Sequence, residues 1–273
     1  MCELMGLSFE RPLAADLSIR AFGTRGEENA DGWGLAWYPD RAAAIVKEPI
    51  KWGESPIARF LEGYPALRST IYIAHVRHGT TGGSPRYADT HPFSRERGGR
   101  DYCFAHNGTI GGPVWELPTG RYQPLGGTDS ERLFCYLLDQ FDQRGGHLED
   151  ECSWGRLHDL AANLNRWGSL NFLLSDGVRL FCYHDINAWK GLSFRGLNLG
   201  GPRTQHMGDR TLDLNLKVPS SNCGVVVATR ALDDEGWDGF DPGELIVLEA
   251  GHVVFSSLRP RPSLGFAIAT DRE

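Results

Sequence analysis

Nowhere in this chain is there a run of basic residues, and Lys plus Arg total 28 against 35 Asp plus Glu, a formal net charge of -7. That balance excludes the electrostatic footprint of a protein built to track a phosphate backbone, so no nucleic acid partner is expected. Long apolar runs are missing too. No stretch approaches the roughly 18 consecutive apolar residues of a membrane-spanning helix, and the start Met1-Cys2-Glu3-Leu4 carries no positively charged leader. A soluble cytoplasmic protein with no membrane partner is the expectation. Cysteine is sparse and scattered, six residues at 2, 103, 135, 152, 182 and 223 with no CxxC pair. Reduced thiols acting mostly as small core residues fit that pattern, and a disulfide scaffold does not. Internal repeats and low-complexity linkers are also lacking.

What is present is a globular composition: 273 residues, 41% hydrophobic and 23% charged, with turns supplied by 34 Gly and 15 Pro. Short apolar or alternating runs at Ile71 to Val76, Tyr102 to His106, Leu170 to Ser175, Val178 to Tyr183, Cys223 to Thr229 and Glu244 to Leu248 end in turn residues and read as strands. Helical spacing appears from Ser55 to Leu67, from the capping box Thr128-Asp129-Ser130-Glu131 through Phe141, and from Leu157 to Trp167. Asp176-Gly177 between two strand runs is a hairpin signal. Strands that come in hairpins, rather than alternating with helices, predict a layered α+β class. The polar, Gly- and Asn-rich segment from Leu192 to Ser221 reads as a surface excursion, and residues 259–273 as a tail after a domain spanning 1–258.

Four places carry groups suited to chemistry. Removal of Met1 would leave Cys2 with both a thiol and an α-amine, whose ordinary pKa of about 7.7 to 8.0 lets it act as a base near neutrality without a histidine. The alternative is an incidental terminal cysteine. Arg77, in Ala74-His75-Val76-Arg77-His78-Gly79-Thr80, ends a strand run, where a guanidinium can clamp a ligand carboxylate or serve a structural ion pair. Asn107-Gly108, in Phe104-Ala105-His106-Asn107-Gly108-Thr109, joins an amide donor to an unobstructed backbone N–H, the equipment of an oxyanion hole but also of an ordinary hairpin turn. Asp129, in the first helical turn after Gly126-Gly127-Thr128, can complement the helix terminus or accept a substrate ammonium.

These blocks, with Asp31-Gly32-Trp33-Gly34, Thr90-His91-Pro92-Phe93, Asn171 to Gly177 and Val226-Val227-Ala228-Thr229, occur in the order that resembles the class II glutamine amidotransferases, over roughly Cys2 to Val254. Standalone members acting on γ-glutamyl compounds in glutathione breakdown and ergothioneine synthesis are the nearest in kind. The resemblance implies a four-layer αββα sandwich of the N-terminal-nucleophile hydrolase type, needing neither cofactor nor metal. It further implies Cys2 as nucleophile, Asn107 and Gly108 as oxyanion donors, Arg77 on the substrate α-carboxylate and Asp129 on its α-amine. Trp33 and Gly34 would wall the pocket, and His78 and Thr80 would add contacts to the glutamyl group. Two departures bear on the substrate. Arg77-His78-Gly79-Thr80-Thr81 replaces the Arg-Trp-Ala-Thr-His of many synthase-linked members, and the chain stops without the synthase domain that consumes ammonia. Either a separate protein partner accepts the ammonia, or hydrolysis of glutamine or a γ-glutamyl small molecule is the whole reaction.

Two other classes compete. His75, His78, His91, Cys103 and His106 could supply nitrogen and sulfur ligands to a hydrolytic metal, although their spacing matches no standard zinc motif. A non-catalytic protein binding a glutamyl ligand is the other.

Overall fold

The computed structural model describes residues 2–18, 31–61, 64, 66–77, 85–143, 145–199, 203–208, 213–218, 222–234 and 236–260. The strands are β1 (Glu3–Ser18), β2 (Gly32–Trp37), β3 (Ala44–Glu48), β4 (Arg68–Arg77), β5 (Phe93–Arg97), β6 (Arg100–Ile110), β7 (Gly168–Ser175) and β8 (Arg179–Tyr183), then β9 (Ser193–Leu199), β10 (Arg203–Gly208), β11 (Asp213–Val218), β12 (Asn222–Ala228), β13 (Asp238–Gly239), β14 (Leu245–Glu249) and β15 (His252–Ser256). The helices are α1 (Pro56–Leu61), α2 (Asp129–Gln143) and α3 (Cys152–Asn165). Among the described residues no helix is long and apolar enough to cross a membrane.

The strands form two antiparallel sheets. The first runs β13-β9-β12-β1-β4-β2-β3, with the β10-β11 hairpin joined to the distal half of β1; the second runs β15-β14-β8-β7-β6-β5. Alternation of side chains along each strand sorts the core into layers. Leu4, Ile71, Ile73, Cys103, Ala105, Leu173, Leu180, Val225 and Ile246 fill the space between the sheets. Phe104, Phe172, Phe181 and Val247 point outward from the second sheet and meet Leu133, Phe134, Leu137 and Phe141 of α2 and Leu157, Ala161 and Leu164 of α3. On the far side, Leu7, Trp33, Leu35, Tyr72 and Val226 face outward from the first sheet and are covered by Trp52, by Ala58 and Leu61 of α1, and by Leu214 and Leu216 of β11. The result is an αββα sandwich.

Local chemistry explains most boundaries. Thr128 caps α2 by accepting the Glu131 N–H at 3.2 Å. The reciprocal half of the capping box is not made, because the buried Glu131 carboxylate instead accepts the Leu125 and Gly126 N–H groups and pairs with Arg95 at 2.6 Å. Asp176 accepts the Val178 and Arg179 N–H groups, and Gly177 takes φ +85°, closing the β7-β8 turn. Helix α1 is shorter than its apolar spacing predicts. Ser55 caps it through the Ala58 N–H, and it ends at Leu61 just ahead of Gly63 and Pro65, two helix-stopping residue types.

The expected surface excursion from Leu192 to Ser221 is a correction. Its first part, β9, pairs residue for residue with β12 inside the first sheet, while β10 and β11 form a hairpin. Arg259 is tied to the body through Asp241 and Glu244, both at 3.0 Å. Residues 261–273 lie outside the described residues.

Candidate active site

Cys2 immediately precedes β1, the strand between β12 and β4 in the first sheet. Because β1 and β4 are antiparallel, with Glu3 opposite Val76, the start of the chain lies beside the end of β4, where Arg77 sits. Arg77 and His75 follow Ile73 at two-residue steps, so they share its inward side of the sheet. From the second sheet, Asn107 follows Cys103 and Ala105 on the same inward face, and its Nδ2 donates to the Cys2 carbonyl at 2.8 Å. One bond therefore joins the two sheets at the first described residue.

A cavity of about 260 Å³ opens at this seam, lined by Cys2, Arg77, His91, His106, Gly108 and Asp129, with Ile110, Gly111 and Trp115 along one side. Gly108 cannot be another residue here. Its φ is +156°, and a Cβ would stand 2.1 Å from the Ser169 carbonyl oxygen. The Leu170 N–H turns to Asp185 rather than across to β6, which marks Gly108 and Leu170 as a pair without ladder bonds. The Gly108 N–H therefore points away from β7, on the side where β5 pairs only as far as Phe104. Asp129 accepts the Ile110 N–H at 2.7 Å through Oδ2, which ties the first turn of α2 to the end of β6 while the carboxylate still borders the cavity.

Three buried histidines stand behind these groups. His75 and His91 stack with centroids 4.2 Å apart. Burial depresses the His75 imidazole to about 3, with a proton on His106 and the Arg77 guanidinium each opposing its charging, and burial also drives His91 well below the usual histidine range. His106 is likewise pushed down by burial, against the pull of Asp129. All three are neutral at pH 7. With Nε2 donating to the Ser169 carbonyl at 3.2 Å, His106 accepts from the Ser130 hydroxyl at Nδ1, 2.9 Å away. The His91 segment is held from below: Lys47 Nζ donates to the Thr90 and Pro92 carbonyls at 2.6 and 3.1 Å, and a Cβ on Gly34 would fall 2.0 Å from the His91 carbonyl oxygen.

The structure thus brings together Cys2, Arg77, Asn107, Gly108 and Asp129. It does not bring Trp33 to the cavity. Trp33 shares the outward parity of Leu35 and Trp37 and packs on Trp52 at 4.4 Å, on the far face of the sheet. Gly34 acts one step removed, by letting the His91 segment lie against β2. His78 and Thr80 lie outside the described residues, as does Met1. Of the metal-ligand candidates, Cys103 is fully buried between the sheets, where desolvation pushes its thiol up to about 12. Among the described residues no group of three or more His, Cys, Asp or Glu side chains is arranged to hold a metal ion. Trp115, Ile110 and Gly111 were not legible as lining residues, although Gly111-Gly112-Pro113 does mark a turn after β6.

The family model for class II glutamine amidotransferases matches residues 1–270. The chain belongs to that family. This amidotransferase is 33% identical over 253 residues to the Escherichia coli K12 protein YafJ, covering 89% of this chain and 96% of YafJ. It is 27% identical over 234 residues to the γ-glutamyl-hercynylcysteine sulfoxide hydrolase of Mycolicibacterium smegmatis, covering 84% and 82% of the two chains. Among solved structures, a predicted glutamine amidotransferase from Pseudomonas aeruginosa PA01 superposes with a TM-score of 0.74 at 26% identity, over 93% of this amidotransferase and 100% of that chain. The fold is that of the N-terminal-nucleophile amidotransferases.

Proposed function

We propose that this enzyme hydrolyses the γ-amide of glutamine or of a γ-glutamyl compound through a thioester on Cys2, with water as the final acceptor. The observation that carries the reading is the convergence on one cavity of a terminal thiol, an Arg, a carboxylate and a glycine N–H, with an amide held on the nucleophile's own carbonyl. Cys2 Sγ attacks the γ-carbonyl carbon. The carbonyl oxygen becomes an oxyanion, accepting from the Gly108 N–H and from the second Nδ2 hydrogen of Asn107. The C–N bond then breaks, and the amine leaves with the proton that the thiol gave to the Cys2 α-amine. Water adds to the thioester carbon, the C–S bond breaks, and glutamate departs as the thiol is restored. Arg77 and Asp129 carry charges opposite to those of the substrate α-carboxylate and α-ammonium, which orients the glutamyl group. The hydrolase relative that acts on a γ-glutamyl compound favours hydrolysis as the complete reaction.

Purified enzyme should release glutamate from at least one member of a panel of glutamine, γ-glutamyl amides and γ-glutamyl peptides, with ammonia assayed separately to identify the leaving group. Cys2→Ala should lower turnover by about a thousandfold or more. Undiminished hydrolysis by that variant would remove Cys2 from the mechanism.

A further inference from the structure

The loop between β8 and β9 holds two non-glycine residues in the left-handed region, Ala188 at φ +54° and Lys190 at φ +60°. An L residue pays for that conformation with steric strain, and glycine would adopt it freely. Something must therefore hold the loop. Asp185, fully buried, accepts the Asn187 N–H at 2.7 Å and the Trp189 N–H at 3.3 Å through Oδ1, while its Oδ2 accepts Asn165 Nδ2 and the Leu170 N–H, both at 2.7 Å. Asn171, also fully buried, donates to the Trp189 carbonyl at 2.8 Å.

That loop is tied to the same strand pair that holds Cys2. Asn171 stands opposite Asn107 in the β6-β7 ladder, and both turn to the inter-sheet side; one amide binds the Trp189 carbonyl, the other the Cys2 carbonyl. On the other flank, Gly191 lies against the Thr229 carbonyl, and Thr229 bonds Leu4 and Glu3. Lys190 Nζ rests 4.6 Å above the Trp189 ring centroid. Among the described residues no carboxylate forms a salt bridge with Lys190, whereas the nearby Glu3 is engaged by Arg230 at 3.7 Å and by the Thr229 hydroxyl at 3.3 Å.

Resting on the reading of Cys2 as nucleophile, we propose that Lys190 is a positioning residue whose ammonium, set beside Cys2 by the strained loop, favours the thiolate of that cysteine. A nearby cation lowers the pKa of a neighbouring acid, so it favours the thiolate form of Cys2 that makes the attack. Partial burial pulls the Lys190 ammonium below the ordinary lysine range while the Cys2 and Glu3 charges push it back, as expected for a cation held near that pair. Among the described residues, charged or titratable groups around Cys2 include Arg77 from β4, His91, His106 from β6, Asp129 from α2, and Glu3, which pairs with Arg230. They are common to every Lys190 variant.

The test is the pH dependence of Cys2 alkylation by iodoacetamide, followed by peptide mass spectrometry in wild type, Lys190→Met, Lys190→Gly and Lys190→Arg. In the Met and Gly variants the apparent pKa of alkylation should rise by about half a unit or more, while Arg stays near wild type. Lys190→Gly relieves the left-handed strain, so its melting temperature should be at least that of wild type even as its alkylation profile moves. A profile in the Gly variant that superimposes on wild type, or an Arg variant displaced as far as Met, would overturn the proposal. Alkylation needs no turnover, so this outcome is separate from loss of the Cys2 mechanism, which the Cys2→Ala assay reads.

Discussion

Asn107 holds one hydrogen bond to the Cys2 carbonyl, and under the proposed mechanism its second amide hydrogen would serve the developing oxyanion. Asn107→Ala should lower kcat by roughly a hundredfold or more, the scale of one lost oxyanion donor at about 3 kcal/mol, with a smaller change in KM. Steady-state kinetics on the best substrate of the panel reads this directly, and an unchanged kcat would take Asn107 out of the oxyanion hole. At this scale the sequence was informative near strand ends and at a helix start: Arg77, Asn107, Gly108 and Asp129 stand in short blocks readable without coordinates, and the fold gathers them around Cys2. It misled at Trp33, because position in a block says nothing about which side of a strand faces the cavity. Parity with Leu35 and Trp37 sends Trp33 outward, and that parity matters only once it is known which face of β2 meets the second sheet.

Between elements, the buried Asp185 joins α3, β7 and the β8-β9 loop through four accepted hydrogen bonds, to Asn165 Nδ2 and to the N–H groups of Leu170, Asn187 and Trp189. Asp185→Ala strands the buried Asn165 and Leu170 donors away from water and releases the part-buried Asn187 and Trp189 N–H groups, and should destabilise the fold by about 3 kcal/mol or more. Urea unfolding measures it, and a loss below about 1 kcal/mol would mean that the loop is held by its packing instead. The helices and hairpins that carry strong local signals, such as α2 behind Thr128 and the Asp176-Gly177 turn, were legible. The β9 strand was not, since its large apolar residues Phe194 and Leu197 stand three apart on opposite faces, among Arg195, Gly196 and Asn198, and make no period-two pattern. Its strand character comes from pairing with β12, a partner its own residues do not announce. Shortened α1 makes the same point in reverse: apolar spacing continued past the residues able to remain helical.

For the whole molecule, the register of one sheet on the other is set by contacts between residues far apart in sequence, and the buried histidines at that seam make its stability depend on pH. His75 faces inward from the first sheet against His91, and its folded value of about 3 lies below the ordinary 6.5 of an unfolded chain. Between those values the unfolded chain binds the proton and the folded one does not. The contribution to stability is therefore full above about pH 6.5 and is lost as pH falls toward 3. By pH 5 the loss from His75 alone is about 2 kcal/mol, and the depressed His91 and His106 act in the same direction. The urea midpoint should accordingly fall steeply between pH 7.5 and 5, and His75→Phe, which keeps a ring in the stack but removes one titrating group, should flatten the slope by about one proton. Equal slopes for variant and wild type would show that His75 meets no penalty for protonation in the fold, and that the sheets part at their seam before the imidazole is charged.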